Sequence, residues 1–262
     1  MALTTLDQAP HTASQAGDAA PAWQMCDGRV QHGLTLDELS DASVVAGLES
    51  LVSAGRLRGR EAFEAAAVQV ITDCADSPQR AWQAFYRNSV AQLRDGSSPF
   101  APVHRRARSL LAGESVLEVG CCFGFLALQC AQDGMTVSAL DLCTGALDLL
   151  ATAAEDFAVP LTTVYGDARA LPCASESVDT VTLIHLLEHL DESEVPQALA
   201  EALRVARGRV VVAVPFEEQP SPHFGHLQRL TVDDLQRWAA PWTHCYAEIF
   251  TDHGGWLVLD KA

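Results

Sequence analysis

From Ser115 onward the chain alternates short apolar runs with amphipathic segments of helix length. Such alternation is typical of a parallel sheet with crossover helices. We predict strands at SVLEVG, TVSALD, TTVYGD, VDTVTLI, RVVVAVP, HCYAEIF and GWLVLDK, with helices near residues 125–132, 144–157, 194–204 and 232–239. Only TDHGG separates the last two strands, which is too short for a parallel crossover. The expected fold class is therefore α/β, with five parallel strands, an antiparallel C-terminal hairpin at one sheet edge, and helices on both faces.

The residues before the sheet divide into two predicted regions. Residues 1–22 are rich in Ala, Thr, Gln, Asp and Pro without periodicity, so we expect a disordered tail. Residues 23–109 are predicted to form a helical region and residues 110–262 the sheet domain. Apolar residues recur at helical spacing from Leu34 to about Ile71, after a plausible cap at Thr35. A second helix is predicted near residues 79–93 and a short one near 104–111.

Composition excludes several classes of function. The chain has 34 acidic and 17 basic residues, a formal charge of −17 that opposes binding to nucleic-acid phosphates. We find no secretory signal and no apolar run long enough for a membrane span. The eight cysteines form no C-x-x-C pair, so we expect buried or free thiols rather than disulfides or a zinc site. A cytoplasmic location is expected.

The segment VLEVGCCFG predicts a strand, a glycine turn and a helix that begins at once. Such a turn directs free backbone N–H groups and the positive end of the helix dipole at a bound carboxylate or phosphate. It does not match the dinucleotide fingerprint, because Cys122 and Phe125 stand where that pattern needs glycine. Glu118 lies within the buried strand, where an unpaired carboxylate is costly. We interpret it as a partner for a ligand that carries an amine.

Two further acids lie at predicted strand ends. Asp141 ends the second strand of the sheet domain, where a carboxylate can accept hydrogen bonds from two ribose hydroxyls. Asp167 ends the third, where its carboxylate and the next backbone N–H suit the edge of an adenine. Any one of these acids alone is better explained as an ordinary loop acid, but their joint placement indicates a nucleoside cofactor.

In order and spacing, these motifs resemble the class I S-adenosylmethionine-dependent methyltransferases, from about Leu110 to the C-terminus. VLEVGCCFG resembles the glycine motif of that family, Leu140 and Asp141 its ribose acid, GDARALP its adenine motif, and VDTVTLIHLLEHLDE its fourth strand and the following turn. The resemblance implies a Rossmann-like fold and S-adenosyl-L-methionine as cofactor, with S-adenosyl-L-homocysteine as product. It implies a cofactor-binding set with the methionine group at the turn, the ribose at Asp141 and the adenine at Asp167 and Ala168. The set is Glu118, Gly120, Cys121, Gly124, Asp141, Leu142, Asp167, Ala168 and Ile184.

Cys122 departs from the family, which usually has glycine there. The turn is expected to accommodate its side chain through a negative φ or by pointing it away from the ligand. Cys121 stands where the family often has Cys or Ser, so the doublet requires no redox role.

His185, Glu188 and His189 fit the H-x-x-E-H pattern of inverted zinc peptidases. That pattern needs a helix, whereas here it follows a strand and His185 is expected at the strand end. We therefore reject a peptidase and assign no metal ligand. A divalent ion that orients a substrate hydroxyl remains an open alternative, as does a packing role for His189 beneath the cofactor.

O-methylation requires the acceptor hydroxyl to lose its proton, and histidine titrates near neutrality. The candidate catalytic residues are His226, His189 and His185. His226 comes first because it lies in PFEEQPSPHFGHLQRLT, after the fifth strand, where this family commonly places a loop over the acceptor. Thr231 is expected to start the next helix.

The whole chain also looks similar to the mycofactocin oligosaccharide methyltransferases, especially in residues 84–128 and in HFGHLQRLT. That resemblance implies transfer to a sugar hydroxyl of a glycan. A quinone, lipid or natural-product methyltransferase and an inactive cofactor-binding protein are the alternatives. The helical region is expected to cover the acceptor pocket, while Trp82, Phe85 and Tyr86 contact sugar rings or pack in the core.

Overall fold

The computed structural model describes residues 23–261, so the predicted tail at residues 1–22 lies outside the described part of the chain. In chain order the elements are β1 (Gln24–Cys26), β2 (Arg29–Gln31), α1 (Asp41–Ser53), α2 (Arg60–Asp73), α3 (Pro78–Asp95), α4 (Ala101–Ser109), β3 (Ser115–Val119), α5 (Phe125–Gln132), β4 (Thr136–Asp141), α6 (Thr144–Asp156), β5 (Leu161–Tyr165), β6 (Val178–Ile184), a 3₁₀ turn (Leu187–His189), α7 (Val195–Val205), β7 (Ala206–Val214), α8 (Val232–Ala239), β8 (Cys245–Thr251) and β9 (Gly255–Lys261).

Seven strands form one sheet in the order β5-β4-β3-β6-β7-β9-β8. Strands β3 to β7 pair in parallel, whereas β9 pairs antiparallel with both β7 and β8. This confirms the predicted α/β fold class and the antiparallel C-terminal hairpin. It also gives the hairpin an order that the sequence pattern did not predict, with β9 inside the sheet and β8 at its edge.

Alternating side chains of the strands fill two hydrophobic cores, one on each face of the sheet. Val116 and Val211 belong to the core that includes α5 and α6, whereas Leu117 and Val210 belong to the core that includes α7 and α8. Each such side chain contributes about 1.5–3 kcal/mol on full burial. Burial on both faces explains why the strands read as nearly continuous apolar runs.

The helices before the sheet pack on the α5 and α6 face. Leu48 of α1, Val70 of α2 and Phe85 of α3 are buried in the same core as Leu126 of α5. Phe85 and Tyr86 also make edge contacts with Phe123, which follows the glycine turn. The aromatic residues of α3 therefore pack against the turn.

The helical run predicted from Leu34 to Ile71 is wrong in two details. A turn at residues 54–59 splits it into α1 and α2, and the cap of α1 is Ser40 rather than Thr35. Ser40 accepts from the backbone of Ser43 in a capping box, while Thr35 donates to Glu38 in the turn before it. Helical spacing alone did not show where the backbone leaves the helix.

Two other features of this region differ from the prediction. The short helix predicted at residues 104–111 begins earlier, at Ala101, because a proline is tolerated in the first helical turn. The antiparallel pair β1 and β2 was not predicted, since each strand has three residues. Within residues 23–261, no helix is both long enough and apolar enough to cross a membrane.

Candidate active site

The order of the parallel strands reverses on either side of β3, so their carboxyl ends lie at a switch point of the sheet. From β3 the connections run through β4 to β5 on one side, and from β6 to β7 on the other. Open α/β sheets bind ligands in the crevice outside the carboxyl ends of the strands at such a reversal. Glu118, Asp141 and Asp167 belong to β3, the end of β4 and the loop after β5, so the sheet brings the three predicted acids to neighbouring strands.

The turn after β3 is shaped by two glycines in left-handed backbone. Gly120 has φ 74° and Gly124 φ 68°. A Cβ atom at Gly120 would lie 2.6 Å from Leu186, and one at Gly124 would lie 2.3 Å from Leu150. Both positions therefore require glycine for conformation and for space.

Cys122 adopts the same left-handed region, with φ 49°. The negative φ predicted as one way to accommodate its side chain is therefore wrong. A non-glycine residue in this region costs about 1–3 kcal/mol, and such strain clusters at functional sites. Cys121 is buried, and burial raises the pKa of its thiol far above the ordinary range, which makes it unreactive.

Glu118 is buried and contacts the helix that follows the turn. Its Oε2 accepts a hydrogen bond of 2.8 Å from the N–H of Ala127 in the first turn of α5. This bond gives the buried carboxyl group a partner before any ligand is considered. Burial, with a smaller contribution from the charge of Asp141, raises the pKa of Glu118 to about 8. A cationic amine beside it would favour the ionised form.

Asp141 connects the turns after β3 and β4. Its carboxylate accepts from the N–H of Cys122 and from the N–H of Cys143, both at 2.8 Å. These bonds place the carboxylate between the glycine turn and the start of α6. The neighbouring Leu142 is 56% exposed, so an apolar side chain is presented to solvent beside the acid.

Asp167 is engaged by its own loop. Its carboxylate accepts from Nε and the backbone N–H of Arg169, and Arg169 also pairs with Glu194. The Arg169 guanidinium holds the pKa of Asp167 below its ordinary value. The predicted role at an adenine edge must therefore accommodate this ion pair. Ala168 beside it is buried.

The three predicted catalytic histidines lie around one carboxyl group. His185 and His189 come from the turn after β6, and His226 comes from the loop after β7. Ile184 ends β6, and His185 follows with φ 53°. Glu188 lies in the 3₁₀ turn and is fully buried. Nδ1 of His185 lies 3.7 Å and Nε2 of His226 lies 4.0 Å from Oε1 of Glu188. His189 packs edge-on against His226, with ring centroids 4.9 Å apart.

Neither carboxyl oxygen of Glu188 has a hydrogen-bond partner among residues 23–261. Burial raises its pKa to about 8. Burial also lowers the pKa of His185 to about 4, with a further contribution from His226, and it lowers the pKa of His189. The cluster therefore disfavours charge on these groups.

The loop after β7 brings His226 to the cluster. The N–H of Leu227 donates to the carbonyl of Glu188 at 2.8 Å, and the amide of Gln228 donates to the carbonyl of Leu190 at 2.8 Å. These two bonds attach the loop to the 3₁₀ turn. Thr231 then begins α8 in a capping box with Asp234, as predicted.

Glu217 orients His226 and was missed by sequence analysis. Its Oε2 lies 2.7 Å from Nδ1 of His226, and its Oε1 accepts from Ser221 at 2.7 Å. Burial alone would raise the pKa of Glu217, but hydrogen bonds from His226 and Ser221 hold it below its ordinary value. Its signal in the sequence was an acid three residues after the carboxyl end of β7.

The helical region contacts the same loop. Phe63 of α2 packs on the rings of His223 and Phe224, with centroids 5.3 Å from each. The side chain of Arg60 packs over Gly225, where a Cβ atom would lie 2.7 Å from its Cδ. Helix α2 therefore lies against the loop that carries His226.

Residues 117–214, from β3 to the end of β7, match a family model described as a methyltransferase domain. This segment is similar to methyltransferase domains, in agreement with the family that the glycine turn and the strand-end acids resembled. The match begins at Leu117 and ends at Val214, so it includes the acids and the 3₁₀ turn but not the loop with His226.

The chain is also similar to curated proteins. The chain is 35% identical over 127 residues to a demethylmenaquinone methyltransferase of Renibacterium salmoninarum, covering 48% of this chain and 49% of that protein. It is 37% identical over 98 residues to a ubiquinone biosynthesis O-methyltransferase of Paracidovorax citrulli, covering 36% of this chain and 41% of that protein. The chain thus spans about half the length of the curated relatives it matches.

Solved structures share the fold of the domain. A Pyrococcus horikoshii protein superposes with a TM-score of 0.55 at 14% identity, over 64% of this chain and 92% of that one. An S-adenosylmethionine-dependent methyltransferase from Aquifex aeolicus superposes with a TM-score of 0.50 at 13% identity, over 66% of this chain and 97% of that one. At these identities the likeness shows the fold.

Proposed function

We propose that the protein binds S-adenosyl-L-methionine at the carboxyl edge of its sheet and transfers the methyl group to a hydroxyl of a small molecule. The glycine turn, the strand-end acids and the match to a methyltransferase domain support the cofactor. The histidines around Glu188 support a hydroxyl acceptor, and this cluster is the observation that carries the proposal.

Each part of the cofactor has a proposed set of contacts. The turn at Gly120, Cys121 and Gly124 takes the methionine group, with Glu118 near its amine. Asp141 takes the ribose hydroxyls, beside Leu142. The adenine lies against Asp167 and Ala168, and Ile184 contributes apolar contact from the end of β6.

Methyl transfer from the sulfonium is an in-line displacement, which requires the acceptor oxygen close to the methyl carbon and opposite the sulfur. The C–S bond breaks as the O–C bond forms, and the acceptor hydroxyl loses its proton. His226 assists that loss, since Glu217 holds its Nδ1 while Nε2 faces Glu188. His185 and His189 line the same cluster.

We place a sugar hydroxyl first among the acceptors, as on an oligosaccharide of the mycofactocin type. An aliphatic hydroxyl is a much weaker acid than a phenol, whose pKa is about 10, so it needs more assistance in losing its proton. His223 and Phe224, which are only partly buried in the loop that carries His226, offer rings for stacking against sugar. A quinone-type phenol is the second candidate, supported by the similarity to the two quinone methyltransferases.

The cofactor assignment is tested by calorimetric titration with S-adenosyl-L-methionine. Loss of charge-assisted hydrogen bonds in Asp141→Ala should weaken binding about tenfold or more. Asp141 also bonds two backbone N–H groups, so Asp141→Asn, which keeps one acceptor oxygen, separates ribose binding from damage to the turn. Asp148→Ala is the matched control, because that acid is exposed on α6. Unchanged affinity in both Asp141 variants contradicts the assignment.

The reaction is tested by the formation of S-adenosyl-L-homocysteine with glucose oligosaccharides or with a quinol. Turnover with the oligosaccharide supports the sugar acceptor, and turnover with the quinol alone supports the second candidate. An inactive binding protein is supported by two results together. The protein binds the cofactor but turns over neither acceptor, and no metabolite becomes lighter by one methylene in cells that lack the gene. The negative charge of the chain disfavours a nucleic-acid acceptor, and a cytoplasmic location stays a prediction.

A further inference from the structure

The proposed function leaves one feature of the cluster unexplained. The carboxyl group of Glu188 is fully buried, and neither of its oxygens accepts a hydrogen bond within residues 23–261. A buried polar group without a partner is costly, and nearly all such groups in folded proteins are hydrogen-bonded. Nδ1 of His185 and Nε2 of His226 lie 3.7 and 4.0 Å from Oε1, beyond hydrogen-bond distance.

In two histidines next to Glu188, one ring nitrogen contacts a group other than Glu188. Nδ1 of His226 bonds to Glu217 at 2.7 Å, and Nδ1 of His189 lies 3.3 Å from the carbonyl of Gly225. Donation from Nδ1 to a carboxylate or a carbonyl leaves Nε2 as the unprotonated nitrogen. Histidines that bind metals are held in this way, through a carboxylate or backbone carbonyl on the other ring nitrogen.

We infer that Glu188, His189 and His226 form a binding site for a divalent transition-metal ion. One ligand atom from each of the three residues lies within 4.8 Å of the other two. Atoms bound to one Zn²⁺ at 2.0–2.1 Å are about 3.3 Å apart, so the ligand atoms would have to approach by up to about 1.5 Å. The contact of His226 with Glu217 and that of His189 with Gly225 each involve Nδ1, so Nε2 of both rings is left for the ion.

The ligands indicate the class of ion. Two imidazoles and one carboxylate suit Zn²⁺, Fe²⁺ or Mn²⁺, whereas Mg²⁺ prefers an all-oxygen shell with several waters. Three protein ligands also leave coordination positions for other molecules. This step rests on the proposed function: an ion at this site would bind the acceptor hydroxyl and lower its pKa. His226 would then assist the loss of the proton by holding the ion.

The site differs from the pattern that the sequence analysis considered. The H-x-x-E-H pattern supplies both histidines from one helix, and His185 would be the first. Here His185 is outside the triad, and its place is taken by His226 from the loop after β7. No metal ligand was assigned from the sequence, because the H-x-x-E-H pattern follows a strand instead of lying on a helix.

The test is metal binding by the purified full chain without a histidine tag. We expect one equivalent of Zn²⁺ by mass spectrometry of metal content, and a visible absorption spectrum with Co²⁺ in place of Zn²⁺. Glu188→Gln and His226→Gln should each weaken Zn²⁺ binding by about 100-fold or more, and Glu217→Gln, which loosens His226, by about tenfold. Glu192→Gln and His253→Gln are matched controls at exposed positions and should bind as the wild type does.

Thiols could bind Zn²⁺ elsewhere, so the variants decide the outcome rather than the wild type alone. Equal Zn²⁺ affinity in the wild type, Glu188→Gln and His226→Gln overturns the site, as does a wild type that binds S-adenosyl-L-methionine but no metal. Turnover that resists a chelator, in protein shown to be free of metal, also overturns the role in catalysis and leaves His226 as the base. Metal binding without any methyl transfer supports the site and contradicts the proposed function instead.

Discussion

Asp179 and Glu188 lie near opposite ends of β6, and the fold treats their carboxyl groups differently. Oδ2 of Asp179 accepts from the N–H of Glu114 at 2.9 Å and from the N–H and hydroxyl of Ser115 at 3.0 and 2.7 Å. Its Oδ1 pairs with Arg207 at 2.6 Å. Glu188 is more deeply buried and has no hydrogen-bond partner within residues 23–261.

The contrast separates an acid that stabilises the fold from one that is available for a ligand. Asp179 joins the start of β3 to β6 and to β7 at the amino end of the sheet. Glu188 occupies the carboxyl end, where ligands bind in this class of sheet. A polar group left without partners at a site is a cost to folding that binding can offset.

The largest effect is expected for Glu188→Gln. We expect the methyl-transfer rate to fall by about 100-fold or more, as for loss of a metal ligand, because the variant removes the carboxylate of the cluster. The free energy of unfolding should change by less than about 1 kcal/mol, since no hydrogen bond is lost. Steady-state kinetics and urea unfolding measure the two effects, with Glu192→Gln as control. A loss of several kcal/mol would show that Glu188 stabilises the fold after all.

For Asp179→Ala we expect a loss of stability with little change in cofactor binding. The variant leaves two backbone N–H groups and Arg207 without their acceptor, so the free energy of unfolding should fall by about 2 kcal/mol. The affinity for S-adenosyl-L-methionine should stay within about twofold, because the residue lies at the far end of the strands. Glu176→Ala, which removes a single exposed pair with Lys261, should cost less than about 1 kcal/mol. Equal losses in the two variants would contradict the special role of Asp179.

The contribution of Asp179 should also depend on pH. Hydrogen bonds from Ser115, then from Glu114 and Arg207, hold the pKa of Asp179 well below its ordinary value. A carboxyl group whose pKa is lowered by folding stabilises the protein above its unfolded pKa, about 3.9, and loses that contribution as the pH falls further. The difference in unfolding free energy between the wild type and Asp179→Asn should therefore be larger near neutrality than in acid. If the difference in unfolding free energy instead grows as the pH falls, the pKa of Asp179 is not lowered by folding.

The smallest effect concerns backbone strain at the carboxyl end. Cys122→Gly should raise the free energy of unfolding by about 1 kcal/mol, because glycine adopts a φ of 49° without the penalty of a side chain. Cys122→Ser keeps a Cβ atom in the same backbone and should show no such gain. If the serine variant is stabilised as much as the glycine variant, the thiol rather than the backbone is the source of the strain.

The fold was largely predictable from the sequence, because its signals are local. Apolar runs marked the strands to within a few residues, and TDHGG required an antiparallel hairpin. The N-terminal helices were predicted less well. Ser40 and Thr35 are both acceptable caps in the sequence, and only the packing of α1 decided between them. The pair β1 and β2 was too short to give a periodic signal.

The positions of the predicted cofactor-binding residues also follow from the sequence, while their contacts with the cofactor stay a prediction. Glycines at 120 and 124 and acids at 118, 141 and 167 lie in segments whose positions follow from the order of strands. Their partners were not predicted, since Ala127, Cys143 and Arg169 were recognised as bonding groups only in the folded chain.

By itself the sequence determined the sheet, the glycine turn and the end of the sheet that binds a ligand, because periodicity and turn chemistry depend on neighbouring residues. Only the tertiary structure placed His226 and Glu217 beside Glu188, through bonds from the loop after β7 to the 3₁₀ turn. The sequence pattern carries no measure of distance between remote segments, so the approach of these side chains depends on how the loop packs.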